Sequence, residues 1–204
     1  MKIYTYKISE LADIALNILS LFDFLHSDYI DIEFIIESSN INIIPVLNLK
    51  RDFSIYAFLS LDFKNIYVDK YIFENNSYIY RFTIAEEFAH LYLHKKAFEN
   101  LKNLDDVIEY TENLHEDLYK KYERNAKKLA SMLLIPKFSL NNHLKKIYLE
   151  YEKNIPVHLQ TEKLFISYAA LKLNDMYKVN SMIVEYRIID SDISQFYLIQ
   201  SEYF

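Results

Sequence analysis

The 204-residue chain contains no cysteine, no glycine and no tryptophan, and only three prolines. Without cysteine it can form neither a disulfide nor a thiolate metal site, so any bound metal must be held by histidine and carboxylate side chains. Without glycine it cannot form a glycine-rich phosphate loop, and Asn and Asp must serve the turns that need a positive φ. The absence of cysteine suits a cytosolic protein, and we expect a cytoplasmic location.

The charge balance and the apolar runs argue against two further classes of protein. A formal charge of -6 provides no overall positive field of the kind that nucleic-acid binding draws on. The longest apolar run, Leu11 to Leu25, is interrupted by Asp13, Asn17 and Asp23, so we predict neither a membrane span nor a signal peptide. It is predicted to be a core helix, and the 51% hydrophobic content is ample for a buried core.

Hydrophobic periodicity in the first part of the chain predicts two helices and a sheet. A helix is predicted over residues 10–25 with Ser9 as its N-cap, and a short one over residues 30–39. Three segments rich in Ile, Val, Tyr and Phe are predicted to form a small antiparallel sheet: INIIPVL, SIYAFLSLDF and NIYVDKYIF. Pro45 places the first strand at a sheet edge or a bulge.

The rest of the chain is predicted to be mainly helical, which makes the fold class α+β. Helices over residues 77–97 and 108–135, the second ended by Pro136, are joined by a charged connector. They are followed by a polar helix, a loop at NIPVHLQ, a helical stretch over residues 161–188 and a terminal strand at SQFYLIQ. We predict a first domain over residues 1–140, with the sheet packed beside the first two of these helices. A helical C-terminal subdomain is predicted over residues 141–204.

The segment RFTIAEEFAHLYLH, Arg81 to His94, has the pattern of a zinc-protease helix. Residues four apart lie on one face of an α-helix, so Glu86, His90 and His94 form one stripe, and Glu87 lies roughly 100° round from Glu86. This is the H-E-x-x-H arrangement of two ligands one turn apart with a glutamate beside them, except that Glu86 stands in place of the first histidine. A catalytic zinc needs three protein ligands, so a third must come from elsewhere.

A second segment, ERNAKKLASMLLIP from Glu123 to Pro136, supplies the candidate for that third ligand. Its apolar residues recur at helical spacing, and Glu123 begins the same stripe. The small side chains of Ala126 and Ala130 allow this helix to approach the first one closely.

Together the two segments resemble the ImmA/IrrE family of metallopeptidases. The hallmark of that family is a helix of the form R-F-T-[LI]-A-H-E-[LF]-[GA]-H-x-x-L-H, followed by E-x-x-A-x-x-[FL]-A-x-x-L-L-x-P. The resemblance covers roughly residues 28–140. It implies that His90 and Glu123 are metal ligands and that Glu87 is the general base. It also implies a helix-turn-helix transcriptional repressor as the substrate, whose cleavage derepresses a mobile element or a stress regulon. Glu86 departs from the family pattern at a ligand position.

Three outcomes are open at this position. Glu86 can itself be a ligand, giving with His90 and Glu123 a set that is neutral around a divalent ion and that shifts the preference from zinc towards manganese or iron. His94, one turn after His90, can replace the missing ligand, although the family carries a histidine there that the metal does not need. In the third outcome Glu86, Glu87 and Glu123 crowd together without a metal, and their like charges raise one or more of their pKa values.

Structural roles also fit some of these residues. Thr83 and Glu86 have the T-x-x-E spacing of a capping box at a helix start. For His94 we favour a partly buried, hydrogen-bonded position over that of a ligand. Tyr92, or another of the nineteen tyrosines, is a candidate for holding the oxyanion. The other histidines have no ligand-like neighbours in the sequence and are predicted to lie at the surface: His26, His115, His143 and His158.

Residues 166–188, ISYAALKLNDMYKVNSMIVEYRI, resemble the second half of a helix-turn-helix, with Asn180 capping the last helix. The basic residues of this stretch and its flank are offset by acidic ones: Lys172, Lys178 and Arg187 against Asp175, Glu185 and Asp190. This balance argues against direct DNA binding. It favours a packing helix or a surface that recognises a partner protein.

Three functional hypotheses follow. The first is a cytoplasmic metallo-endopeptidase that cleaves a helix-turn-helix repressor. The second is a pseudoprotease that keeps the fold to bind the repressor or another protein without cutting it. The third is a DNA-binding regulator, which predicts salt-sensitive binding to duplex DNA.

Overall fold

The structure, a computed structural model, describes residues 5–98, 101, 106 and 115–191. Its elements in chain order are α1 (Ile8–Leu21), α2 (Ile32–Ser38), β1 (Asn42–Val46), α3 (Leu49–Phe53), β2 (Ala57–Leu59), β3 (Asn65–Asp69), α4 (Lys70–Asn75), α5 (Ser77–Phe98), α6 (Glu116–Leu134), α7 (Lys137–Asn154), a 3-10 turn (Val157–Leu159), α8 (Glu162–Tyr177) and α9 (Ser181–Ile189). The predicted α+β class is confirmed. The predicted terminal strand and the first residues of the helix predicted from residue 108 lie outside the described residues.

The three strands form a mixed sheet in the order β1-β3-β2. β2 pairs with β3 in the antiparallel sense, as predicted, but β1 pairs with β3 in parallel. A parallel pair needs a crossover connection, and the chain between β1 and β3 provides one through α3 and β2. Pro45 lies in β1 at the sheet edge, as predicted, because proline has no N–H to donate to a second neighbour.

β3 ends earlier than the alternating apolar pattern predicts, because Asp69 stops it. The Asp69 carboxylate accepts hydrogen bonds from the backbone N–H groups of Tyr71 (3.0 Å) and Lys50 (2.8 Å), and so caps α4 and holds the start of α3. Asp69 is buried, so both bonds are shielded from water. The strand predicted to continue to Phe73 therefore turns into a helix at residue 70.

The start of α1 also differs from the prediction. The Glu10 carboxylate accepts a hydrogen bond from the Lys7 backbone N–H at 2.6 Å, and the helix begins at Ile8. Ser9 consequently lies inside the first turn and is not the N-cap. A glutamate at the third helical position has replaced the hydroxyl cap that the serine suggested.

Turns that glycine would normally serve are made by other residues. Asp23, Asn40 and Asn48 adopt positive φ values of 58° to 62°, as the absence of glycine predicts. Three further residues outside that prediction do the same, at φ values between 54° and 62°: Ser54, Phe63 and Lys178.

A single cluster of buried apolar side chains joins the elements around α5 and α6. Both α5 and α1 pack on α6. α5 also contacts α2 and the sheet. Fully buried alanines allow the two central helices to approach closely: Ala85 and Ala89 of α5, and Ala126 and Ala130 of α6.

Replacing Ala126 by Leu is expected to lower the free energy of unfolding by about 1 to 3 kcal/mol, because the added methyl groups have no free volume at the helix contact. Chemical denaturation measures the change. Lys121→Leu, at an exposed position of the same helix, is the control and should change the stability little. Equal effects of both substitutions would contradict the close packing of α5 on α6.

The C-terminal part is helical, as predicted, and the likeness of α8 and α9 to a helix-turn-helix stays a prediction. Lys178, at φ 54°, makes the turn between α8 and α9, and α9 packs on α8 and α6. Arg187 is buried, and its Nε donates to the Ile135 carbonyl oxygen at 3.1 Å, so its guanidinium is held inside the protein. Burial lowers the pKa of Arg187 to about 10.

The buried cluster includes side chains from both sides of residue 140. The division into residues 1–140 and 141–204 stays a prediction. Within the described ranges, no helix combines the length and the apolar character needed to cross a membrane.

Candidate metal centre

Glu86 and His90 of α5 and Glu123 of α6 come together where the two helices pack. One donor atom from each of the three side chains lies within 4.8 Å of the others. His90 Nε2 and Glu123 Oε1 are 3.8 Å apart. Two ligands bound to one tetrahedral zinc at about 2.1 Å each lie about 3.4 Å from one another, so only a small contraction would bring these atoms onto a common ion. The group could therefore hold a metal ion.

The stripe on α5 arises as the spacing predicts. α5 begins at Ser77, so Thr83 and Glu86 lie well inside the helix. The capping-box interpretation of these two residues is therefore wrong. Glu86 is instead a partly buried residue in the middle of α5, and its side chain lies beside Lys127 of α6.

Glu87 is held beside the group by the sheet. Its carboxylate accepts a hydrogen bond from the backbone of Leu59 in β2. Because β2 is an edge strand of the sheet that the described residues form, this contact places the sheet edge next to the candidate general base. The hydrogen bond was not predictable from the spacing on α5, since it joins segments distant in the chain.

Burial disfavours the charged forms of all three carboxylates, and repulsion between carboxylates adds to this effect for Glu86 and Glu87. Burial, and less strongly the neighbouring carboxylates, raise the pKa of Glu87 to about 8. For Glu86 burial raises the pKa to about 7, against the opposing effect of Lys127. Burial also raises the pKa of Glu123. The repulsion that the sequence predicts is present but is the smaller cause. A bound divalent cation would favour the ionised carboxylates, so the group fits such an ion electrostatically.

The rings of the two histidines of α5 lie next to each other with centroids 4.9 Å apart and planes tilted by 50°, and burial keeps both rings neutral. Burial lowers the pKa of His90 to about 4 and holds that of His94 far below its usual range. Their Nδ1 atoms are 2.9 Å apart, and the His94 ring stacks on Tyr122 with centroids 3.3 Å apart. His94 is thus the buried, hydrogen-bonded neighbour of His90 and does not belong to the three-residue group.

Two further residues of α6 act on the group and were not singled out from the sequence. Lys127 Nζ lies 3.8 Å from Glu86 Oε1, and Tyr119 forms a hydrogen bond to Glu123. Tyr119, Glu123 and Lys127 are spaced four apart, so they form one stripe of α6. Extending the Glu123 stripe by one turn in each direction would have found both residues.

Tyr92, the candidate for holding the oxyanion, makes other contacts. Its side chain hydrogen-bonds to Ser39, the residue after α2, and its ring packs edge-on against Phe88 with centroids 5.0 Å apart. Tyr119 is instead the tyrosine that hydrogen-bonds within the group.

The remaining histidines do not belong to the three-residue group. His143 differs from the prediction, because it has a carboxylate neighbour: its Nε2 lies 3.0 Å from Asp28 Oδ1, and the same oxygen accepts a hydrogen bond from Ser139 at 2.6 Å. The other three histidines are exposed, as predicted: His26, His115 and His158. His115 also has a carboxylate neighbour, because its Nδ1 lies 3.9 Å from Asp117 Oδ2.

A cavity of about 860 Å³ opens onto Glu86 and Glu123. Its walls come from α5, α6 and α9, and Tyr56 adds a side chain from the segment before β2. The C-terminal helix α9 is therefore part of the surroundings of the candidate metal centre, a role that the sequence does not reveal.

Two candidate ligands one turn apart on a helix, a third candidate from the next long helix and an adjacent glutamate are the arrangement of a metallopeptidase-like site. The model of the M78 peptidases, described as the IrrE N-terminal-like domain, matches residues 49–188. The chain belongs to this family, as the resemblance to ImmA/IrrE proteins predicted. The match extends beyond residue 140 into α9, whereas the resemblance of the two sequence segments covers roughly residues 28–140. No curated protein matches the chain.

Proposed function

We propose that the chain is a metal-dependent endopeptidase in which Glu86, His90 and Glu123 hold a divalent cation and Glu87 is the general base. The observation that carries this proposal is the convergence of the three donor groups within 4.8 Å, with Glu87 beside them. Membership of the M78 family supports a metallopeptidase-like protein.

When bound, the metal would supply Lewis acidity, which polarises a peptide carbonyl and makes water a stronger acid. Glu87 takes a proton from the attacking water and returns it to the nitrogen of the leaving amine. The Leu59 backbone contact holds the Glu87 carboxylate in place for both transfers. Tyr119 orients Glu123 through their hydrogen bond.

The chemistry of the donor set favours a harder ion than zinc. Two carboxylates and one imidazole give a neutral site around a divalent cation, which is a weaker Lewis acid than a site with two imidazoles. Oxygen-rich sets of this kind suit manganese or iron. We therefore propose manganese or iron as the resident metal, with zinc as a competitor.

For the substrate we propose a helix-turn-helix repressor in the cytoplasm, whose cleavage derepresses a mobile element or a stress regulon. The resemblance to ImmA/IrrE proteins supports this substrate, and the absence of cysteine supports the location. The burial of Arg187 supports a protein partner over DNA, because it removes one of the three basic side chains of this stretch from the surface.

A pseudoprotease that binds the same partner is the second candidate, and Lys127 favours it. The Lys127 ammonium lies 3.8 Å from Glu86 and provides positive charge at the group without any metal. With the Lys127 ammonium offsetting the carboxylate charge, the site would keep its shape after losing its metal ion.

Incubation of the native protein with a proteome-derived peptide library tests the endopeptidase. We expect new peptide ends after addition of manganese, iron or zinc, and none with a chelator, because the carbonyl and the water need the cation. Mass spectrometry of the products measures the cleavage. Stoichiometric metal without any cleavage would favour the pseudoprotease.

His94 is expected to orient His90. A neutral His90 whose Nε2 faces Glu123 carries its proton on Nδ1, and this proton can be donated to His94 Nδ1 at 2.9 Å. Replacing His94 by Phe keeps a ring against Tyr122 but removes the acceptor, and should weaken metal binding by about 10- to 100-fold.

Competition with a chromogenic chelator measures the affinity. His94→Gln, which restores an acceptor oxygen, is the matched variant and should recover part of the loss. Equal metal affinity of the native and Phe proteins would show that His94 has no orienting role.

A further inference from the structure

The cavity at the candidate metal centre has two walls of different chemistry. The α6 wall carries Lys120, Arg124 and Lys127, spaced so that they share one side of the helix, and the floor includes Glu86 and Glu123. The α9 side chains that line the cavity are apolar: Met182, Ile183, Tyr186 and Ile189. A ligand that enters the cavity therefore meets cationic side chains from one helix and apolar side chains from another.

The apolar wall is not explained by packing of α9. Met182, Tyr186 and Ile189 line the cavity and are 56%, 60% and 57% exposed. The core-facing side of the same helix is formed by other residues, with Val184 and Ile188 buried. α9 thus has a second apolar face that the core does not use, and such a face marks a binding surface.

The α6 wall of the cavity carries more positive than negative side chains. The full chain has a net charge of -6, yet this wall concentrates positive side chains. Lys128 is paired with Asp190 at 2.7 Å, and Lys120 is paired with Glu116. Arg124 has no ion pair with any residue that the structure describes. Its guanidinium is available to a carboxylate of a ligand, with which it can form two parallel hydrogen bonds.

Lys127 connects this wall to the metal centre. Its Nζ lies 3.8 Å from Glu86, and its side chain is 56% exposed. A carboxylate entering beside Arg124 would therefore meet two cations. The wall repels a basic side chain at the same place, which adds selection against the wrong ligand.

We propose that this cavity binds the polypeptide segment to be cut, and that the segment presents an apolar side chain to α9 and an acidic side chain to α6. The proposal rests on the endopeptidase function. A volume of about 860 Å³ lies in the range of pockets for small ligands and short peptides. The segment is therefore an exposed loop or an unwound helix end of the substrate, and not a folded domain.

Binding of fluorescein-labelled peptides to the full chain carrying Glu87→Gln tests the proposal without turnover. Three peptides of equal length share one scaffold and carry Leu with Glu, Leu with Lys, or Ser with Glu at the same two positions. Fluorescence anisotropy should show the Leu and Glu peptide binding at least about tenfold more tightly than either of the others.

Two pairs of substitutions assign the preference to the walls. Arg124→Glu should abolish the preference for Glu over Lys, whereas Lys121→Glu, an exposed neighbour outside the cavity, should keep it. Tyr186→Ser should abolish the preference for Leu over Ser. Leu171→Ser on α8, where Leu171 is 69% exposed and outside the cavity, should keep it.

Equal binding of the three peptides, or equal effects within either pair of variants, would overturn the proposal. Binding of a labelled DNA duplex that depends on Arg124, without peptide binding, would also overturn it and assign the cations to phosphate.

The result is separable from the endopeptidase test. A peptide preference in a protein that cleaves nothing would leave this cavity assignment standing and remove the endopeptidase. Cleavage of library peptides without enrichment of apolar and acidic residues around the cut would support the endopeptidase and remove this cavity assignment.

Discussion

Protein carrying His90→Ala is expected to bind manganese or zinc at least about a hundredfold more weakly than native protein, because a lost ligand costs more than a lost supporting contact. His90 is the only imidazole of the three-residue group. Its removal leaves two carboxylates whose pKa values burial already raises, so they resist ionisation together. Metal analysis of protein purified without chelator, followed by competition with a chromogenic chelator, measures the change.

Glu86→His is the informative partner of this substitution. It restores a second imidazole, so we expect a higher affinity for zinc, a preference shifted away from manganese and iron, and an increase in peptidase activity. His158→Ala is the control, because His158 is an exposed histidine outside the three-residue group. It should leave metal binding unchanged.

The outcomes of these variants separate the two candidate functions. Metal present in native protein and absent after His90→Ala would mean that Glu86 works as a ligand. Metal absent from native protein and present after Glu86→His would mean that the fold has lost its ion and supports binding alone. If Glu86→His changes neither zinc affinity nor activity, the metal-site assignment is wrong.

The stripe of α5 and the partner carboxylate of α6 could be predicted because both depend on local spacing. Residues four apart share a helix face wherever the helix packs, so Glu86 and His90 needed only the helix to exist. Glu123 was identified by the same periodicity in the next long helix. The candidate metal ligands are therefore the part of the site that a sequence specifies most directly.

Features that depend on contacts between distant segments could not be predicted in this way. The Leu59 contact to Glu87 joins β2 to α5, and the parallel pairing of β1 with β3 depends on the path of the chain between them. The cavity wall formed by α9 depends on how this helix packs on α6. Periodicity reports which face of a helix is apolar, but not which neighbour that face meets.

Local competition between caps explains the smaller errors. Ser9 and Glu10 both offer an acceptor near the start of α1, and Glu10 makes the bond to Lys7. Asp69 ends β3 because its carboxylate reaches backbone N–H groups on two sides, and an alternating apolar pattern carries no sign of that.

Replacing Glu87 by Gln is expected to lower kcat by about 10²- to 10⁴-fold, the range for removal of a general base. The amide has the shape of the carboxylate and keeps an oxygen that can accept the hydrogen bond from the Leu59 backbone, but it cannot take a proton. Glu87 is outside the three-residue group, so metal content should stay near the native value. Cleavage of a peptide identified in the library and metal analysis of the same sample measure both quantities.

The effect of Glu87→Gln on kcat is measured both in native protein and in protein carrying Glu86→His. The second protein is expected to provide measurable peptidase activity if the native site is inactive. Glu74→Gln, at an exposed position of α4, is the control for the loss of one carboxylate charge and should leave kcat unchanged. Loss of activity together with loss of metal would make Glu87 a ligand or a structural residue. Full activity with Gln at this position would exclude it as the base. A large fall in kcat at constant metal content, with KM little changed, is the outcome that only proton transfer by Glu87 explains.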